Sequence, residues 1–277
     1  MKRLLWIIAA LLLVTTVDAQ QPEITLEDIW INYTFYPGAI SEIRSMEDGE
    51  HFTVLSNNAI DKFSYKTGEK KETVLNGNEL RDEKGRKVTI GDYYFSKGEK
   101  KVIIATQIRS VYRHSQKAFF YIYDFYRATL TPLSDAEKGM QRLAAFSPDG
   151  SMVAFVRENN IFIKDLEKNL EIQVTKDGVE GRIINGTCDW VYEEEFGFTD
   201  GFKWSPDSRH IAFYRFDESN VKEFQLEYYG ALYPYIYKYK YPKAGEDNSV
   251  VTIHAYDVKK RKTKIMDTGK ERDIYIP

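Results

Sequence analysis

One cysteine, Cys188, stands in 277 residues, so no intrachain disulfide can form and the fold must rest on its core alone. Cys188 reads as a buried small hydrophobe or as one half of a bridge to sequence outside this chain. No motif pairs it with a histidine, as a nucleophile would require. Histidine is also scarce: His51, His114, His210 and His254 are scattered without metal-ligand spacing, so neither a metal site nor a cofactor is expected. Charge of one sign is missing too, because 39 basic and 42 acidic residues are interspersed to give a net −3. Without a basic stripe to neutralise phosphates, nucleic acid is not an expected partner.

Long apolar runs are absent except at the start, where Lys2 and Arg3 precede "LLWIIAALLLVTTV" and "VDA" closes at Ala19. Small residues at the −3 and −1 positions before Gln20 make residues 1–19 a secretory signal peptide. The run Leu4–Val17 has 14 residues, fewer than the roughly 17 to 25 that a membrane-spanning helix needs. Export with cleavage is therefore expected, leaving a mature chain free of the membrane in a periplasm or outside the cell. Asn32-Tyr-Thr and Asn185-Gly-Thr match the glycosylation acceptor pattern, which matters only in a host that glycosylates.

What the chain does have is aromatic and β-branched residues, with 20 Tyr and 16 Phe against 4 Trp, a composition suited to pleated, half-buried surfaces. It also repeats. Four segments share a serine, a turn and a following apolar strand: "IRSMEDGEHFTVL" at Ser45, "YYFSKGEKKVIIAT" at Ser96, "AAFSPDGSMVAFV" at Ser147 and "FKWSPDSRHIAFY" at Ser205. The intervals are 51, 51 and 58 residues. Within a unit, Pro148 presets the turn, Asp149 bonds its own backbone and Gly150 tolerates positive φ. A repeat of this length with about four strands is the signature of a propeller blade, which must stack on neighbours to bury its faces. A β-sandwich with coincidental turns is the alternative. The units fill residues 41–277 after a short N-terminal segment, 20–40. Nothing in the closing "ERDIYIP" reads as a final strand, so the chain is expected to be the front of a longer protein. Half a propeller would expose a blade face and tend to associate.

The fourth unit carries an extension over 217–248, where Tyr233, Tyr235, Tyr237, Tyr239 and Tyr241 recur with period two. This predicts an extended ribbon with one covered and one wet face. It could serve as a binding or dimer arm or pack along its own sheet.

"DWVYEEEFG", Asp189 to Gly197, sets three carboxylates among Trp190, Tyr192 and Phe196. A solvated turn or short helix face is one reading. In the other, Glu194 and Glu195 converge in a helical turn, where they repel unless a cation sits between them. That cation could be a protein guanidinium or a ligand ammonium. Arg113, in "SVYRHSQKAFFYIYD", is a candidate guanidinium or an ordinary surface arginine.

Together "DWVYEEEF", "YRHSQKAFFYIYD", "WSPDSRHIAFYRFDES" and "YPKAGEDN" resemble the N-terminal half of the dipeptidyl peptidase IV group of prolyl-specific serine exopeptidases, in its bacterial exported form. The resemblance covers essentially the whole mature chain. It implies an all-β fold, about four blades of an eight-bladed propeller that caps an α/β-hydrolase domain. It further implies that Glu194 and Glu195 grip the substrate α-ammonium, that Arg113 helps hold the glutamates and the substrate carbonyl, and that the Tyr-rich extension contributes to a homodimer. The implied reaction is release of X-Pro dipeptides from peptides with a free N-terminus. One departure is large: no G-x-S-x-G nucleophile elbow occurs, and Ser147 and Ser205 sit in blade turns, so no catalytic residue is assigned and this chain alone is expected to be inactive. A tripeptide-releasing relative and a noncatalytic peptide- or protein-binding propeller are the alternatives.

Overall fold

A computed structural model describes residues 23–37 and 42–276, in two units divided between Ser41 and Glu42. The expected signal peptide, 1–19, lies outside the described residues. In the first unit, Leu26–Trp30 form a short helix α1, started by a reciprocal capping box in which Thr25 and Asp28 bond each other's backbone. Among the described residues no helix is long and apolar enough to cross a membrane.

The second unit holds three antiparallel four-stranded sheets in simple up-and-down order and a fourth, five-stranded sheet, a partial propeller. The first blade holds β1 (Arg44–Ser45), β2 (His51–Ser56), β3 (Ala59–Ser64) and β4 (Lys70–Asn76); the second holds β5 (Asp92–Phe95), β6 (Lys101–Ser110), β7 (Gln116–Asp124) and β8 (Thr129–Pro132). The third comprises β9 (Arg142–Phe146), β10 (Met152–Arg157), β11 (Asn160–Asp165) and β12 (Leu170–Gln173). In the fourth, β13 (Ile183–Asn185) and β14 (Phe202–Trp204) both pair with β15 (His210–Asp217), which continues to β18 (Val250–Asp257) and β19 (Lys262–Ile265). Between β15 and β18 a separate hairpin, β16 (Glu223–Tyr228) and β17 (Tyr235–Lys240), accounts for the period-two tyrosines.

Side-chain alternation explains why these strands read as unbroken apolar runs. On β6, Val102 and Ile104 enter the core shared with the first blade, whereas Ile103 and Ala105 enter the core shared with the third. On β10 the same division sends Val153 and Phe155 one way and Ala154 and Val156 the other, toward the fourth blade. Adjacent residues point to opposite faces of a strand, so a sheet covered on both sides must be apolar at every position. Full burial of each Val or Ile contributes about 1.5–3 kcal/mol.

The turns follow the repeat, with one shift. The amides of Ser96, Ser147 and Ser205 close the turns onto Lys101, Met152 and His210, but in the first blade Met46, not Ser45, donates to the equivalent carbonyl of His51. At the third turn Gly150 closes on Ser147 with φ +69°, the left-handed value expected of it. Successive turns also bond across blades: Glu47 N–H donates to Glu99 and Gly98 N–H to Glu47, Lys101 donates to the Gly150 carbonyl, and Asp149 N–H donates to Ser208 Oγ.

Candidate functional site

The site grows out of an interruption in the fourth blade. β13 pairs with residues 215–217 of β15 and β14 with residues 211–213, so the chain between them, 186–201, leaves the sheet and returns at Tyr214. Two glycines make the neck of that loop. Gly186 N–H donates to the Tyr214 carbonyl and Tyr214 N–H to the Gly201 carbonyl. A Cβ on Gly201 would lie 2.6 Å from the backbone of Gly186 and Thr187, a separation that only a residue without a side chain permits.

The loop carries a second helix, α2 (Trp190–Glu194), too short to be stable alone. It is held by its cap and its buried side. Asp189 accepts from Tyr192 N–H at 3.0 Å and from Ser249 Oγ at 2.7 Å, leaving a buried carboxylate whose pKa burial pushes above the ordinary range. Val191 and Tyr192 are buried; Tyr192 packs against Phe198, Tyr214 and Phe216 and accepts from the Ile276 amide, and burial pushes its phenol up to about 12. Cys188 lies in the same apolar cluster, buried and free, with its thiol pushed well above the ordinary range by burial. It is a core residue.

The three carboxylates take three different places. Glu193 is 4% exposed and its Oε1 accepts from the backbone amides of His114 at 2.9 Å and Ser115 at 2.8 Å, on the β6–β7 loop of the second blade. Glu194 is half-buried and its Oε1 stands 3.1 Å from Arg113 Nη1, while its Oε2 is buried with no hydrogen-bond partner among the described residues. Glu195, the C-cap, is exposed. Sequence reasoning named Glu194, Glu195 and Arg113; the structure joins Glu194 to Arg113 and leaves Glu195 beside them on the open side. Glu193 was not among the assigned residues, and nothing in "YEEE" distinguishes it.

Aromatic rings line one flank. Trp190 meets Tyr112 at 6.4 Å between ring centroids and Tyr241 at 4.5 Å, and Tyr239 bridges to both Tyr112 and Trp190. The base of the β16–β17 ribbon is thus packed on the site, while Leu232 and Tyr233 at its tip are exposed. On the other flank His114 lines a cavity of about 490 Å³ bounded by Asp92, Phe120, Asp200 and Trp204. The second glycosylation match is excluded here, because Asn185 and Thr187 are fully buried and Asn185 Nδ2 donates to Asn159 and Asp177.

A half-buried carboxylate beside a guanidinium, with an exposed carboxylate next to it and aromatic rings on one flank, can bind a primary ammonium. The sequence model of the family described as "Dipeptidyl peptidase IV (DPP IV) N-terminal region" matches residues 96–277. The chain belongs to this family. A probable dipeptidyl-aminopeptidase B of Talaromyces marneffei is 40% identical over 173 residues, 57% of this chain and 19% of the relative. Its counterpart in Botryotinia fuckeliana is 34% identical over 209 residues, 69% of this chain and 23% of the relative. The crystal structure of Porphyromonas gingivalis dipeptidyl peptidase 4 matches with a TM-score of 0.83 at 43% identity, covering 91% of this chain and 36% of that one. The chain spans about a fifth of the length of these curated relatives. The described residues of this dipeptidyl peptidase IV N-terminal region comprise the propeller blades and the "YEEE" helix.

Proposed function

We propose that this chain is the substrate-recognition part of an exported serine exopeptidase that releases X-Pro dipeptides. Glu194 and Glu195 would bind the α-ammonium of the peptide, and Arg113 would orient Glu194 and the substrate carbonyl. The observation that carries this reading is Glu194 itself. Its Oε1 is engaged by Arg113 while its buried Oε2 has no partner among the described residues, and a buried carboxylate oxygen is stabilised by a charged N–H donor. With the Arg113 side chain 68% exposed, its pair with Glu194 contributes little to stability, which suits a role in binding. Glutamates at a fixed distance from a nucleophile act as a ruler: only a free, protonated amino terminus reaches them, so cleavage follows a set number of residues.

The nucleophile would come from a hydrolase domain outside these residues, so the 277-residue chain by itself should hydrolyse nothing. Export, cleavage of residues 1–19 and homodimerisation of the whole peptidase belong to the same proposal. In the whole peptidase, Glu194→Gln and Glu195→Gln should each lower kcat/KM on Gly-Pro substrates by roughly 10- to 100-fold, the equivalent of one charge-assisted hydrogen bond. Their circular dichroism should stay unchanged. Unaltered rates in both variants would refute the assignment.

A further inference from the structure

The buried Glu193 is not needed to meet the ammonium, and its geometry gives it another task. From the structure we infer that Glu193 is a positioning residue: a clamp that fixes the Arg113 loop of the second blade against the glutamate helix of the fourth. This rests on the proposed substrate reading of Glu194 and Arg113 and goes beyond it.

Arg113 lies at the tip between β6 and β7, with its side chain 68% exposed. A long, exposed side chain on a loop tip has many rotamers, and little in its own surroundings selects the one that meets Glu194. The tip itself is closed by the Val111 amide on the Ser115 carbonyl. That bond shapes the loop but does not place it relative to the fourth blade. Placement comes from Glu193, whose single Oε1 receives the amides of both residues that follow Arg113. Glu193 and Glu194 are consecutive on α2, so the carboxylate that holds the loop and the one that meets the guanidinium move as one body. Two donors converging on one oxygen define position more tightly than either alone.

A carboxylate this deeply buried needs compensation. Besides the two amides, the Arg142 guanidinium of β9 supplies positive charge close enough to act on Glu193, although burial pulls its own pKa down. Arg142 Nε and Ser115 Oγ are buried without a hydrogen-bond partner among the described residues. A polar, mostly buried joint between blades is costly as mere packing, and an apolar side chain would fill the space without it. A joint that sets the Arg113 to Glu194 distance makes use of that directionality.

Two measurements test the clamp. In the 277-residue chain, amide hydrogen exchange at His114 and Ser115 should accelerate at least about tenfold in Glu193→Ala, while Glu193→Gln, which keeps a carbonyl acceptor, retains most of the protection. In the whole peptidase, Glu193→Ala should raise KM about tenfold with kcat changed less than about twofold, and Glu193→Gln should recover most of the loss. Because Glu193 acts through Arg113, Arg113→Ala combined with Glu193→Ala should be no worse than the poorer single variant. Should Glu193→Ala not fold, Glu193→Asp keeps the charge, withdraws the oxygen by one methylene and carries the same expectation. Unchanged exchange at both amides overturns the clamp. Losses that multiply in the double variant overturn it too, showing that Glu193 acts independently of Arg113. If Arg113→Ala alone leaves KM unaltered, the substrate reading of the site falls, and the positioning role falls with it.

Discussion

Glu218, at the foot of the tyrosine ribbon, should make the stability of this chain fall as the pH rises through the range where most proteins are indifferent. The residue follows β15 directly and is 6% exposed. Burial comes first among the causes that lift its pKa from an ordinary 4.5 to about 7, with Asp189, Glu180 and Asp217 adding negative charge and Lys240 opposing them. The fold prefers the protonated acid. Below about pH 4.5 both folded and unfolded forms are protonated and nothing is lost; as pH rises the unfolded chain ionises freely while the folded one resists. The penalty is complete above about pH 7. A rise from 4.5 to about 7 corresponds to about 3 kcal/mol. Glu218→Gln removes the titration, so the variant should match the wild type near pH 4.5 and exceed it by about 3 kcal/mol at pH 8. In urea unfolding at both pH values, the midpoint at pH 8 should move up by about 1 M or more. An advantage of equal size at both pH values, or none at pH 8, would refute the reasoning.

Two further substitutions probe how the site is carried. Gly201→Ala puts a methyl group 2.6 Å from backbone at the neck of the helix loop, an overpacking expected to cost about 1–3 kcal/mol; an unchanged melting temperature would show that the neck can open freely. Asp189→Ala removes the cap of α2 and leaves Ser249 without its acceptor, which should lower stability by about 2 kcal/mol, and Asp189→Asn should restore most of it because the amide oxygen still caps; equal melting of the two variants would count against the cap.

Much of the fold was legible in the residues, because a blade is a local object. Its hairpin turns need specific residues at fixed offsets, as in Ser147 to Gly150, and its strands need apolar side chains at every position when both faces are covered, as in Val102 to Ala105. These constraints write themselves into the order of residues with a period that can be counted. The first repeat shows the limit: Ser45 fits the motif by eye, yet the turn is closed by Met46, since a backbone amide makes that bond and any residue can supply it.

For the site, the acidic and Arg-His-Ser motifs and the family resemblance they carry named Arg113, Glu194 and Glu195, but not where each would stand. On a helix each residue turns by about 100°, so three successive glutamates must face three directions, and which one faces inward depends on how the helix is rolled against the sheet. Gly186, Gly201 and the burial of Tyr192 set that roll, sending Glu193 into the second blade, Glu194 to Arg113 and Glu195 toward solvent. The Asn185 acceptor pattern likewise matched in sequence and vanished in space, because a buried amide is not available for modification. The residues by themselves determined the repeat, the strands and the chemical character of the acidic loop. Only the tertiary structure decided which carboxylate accepts from the amides of the second blade and which meets Arg113, because partners some 80 positions apart meet only after the sheets have stacked.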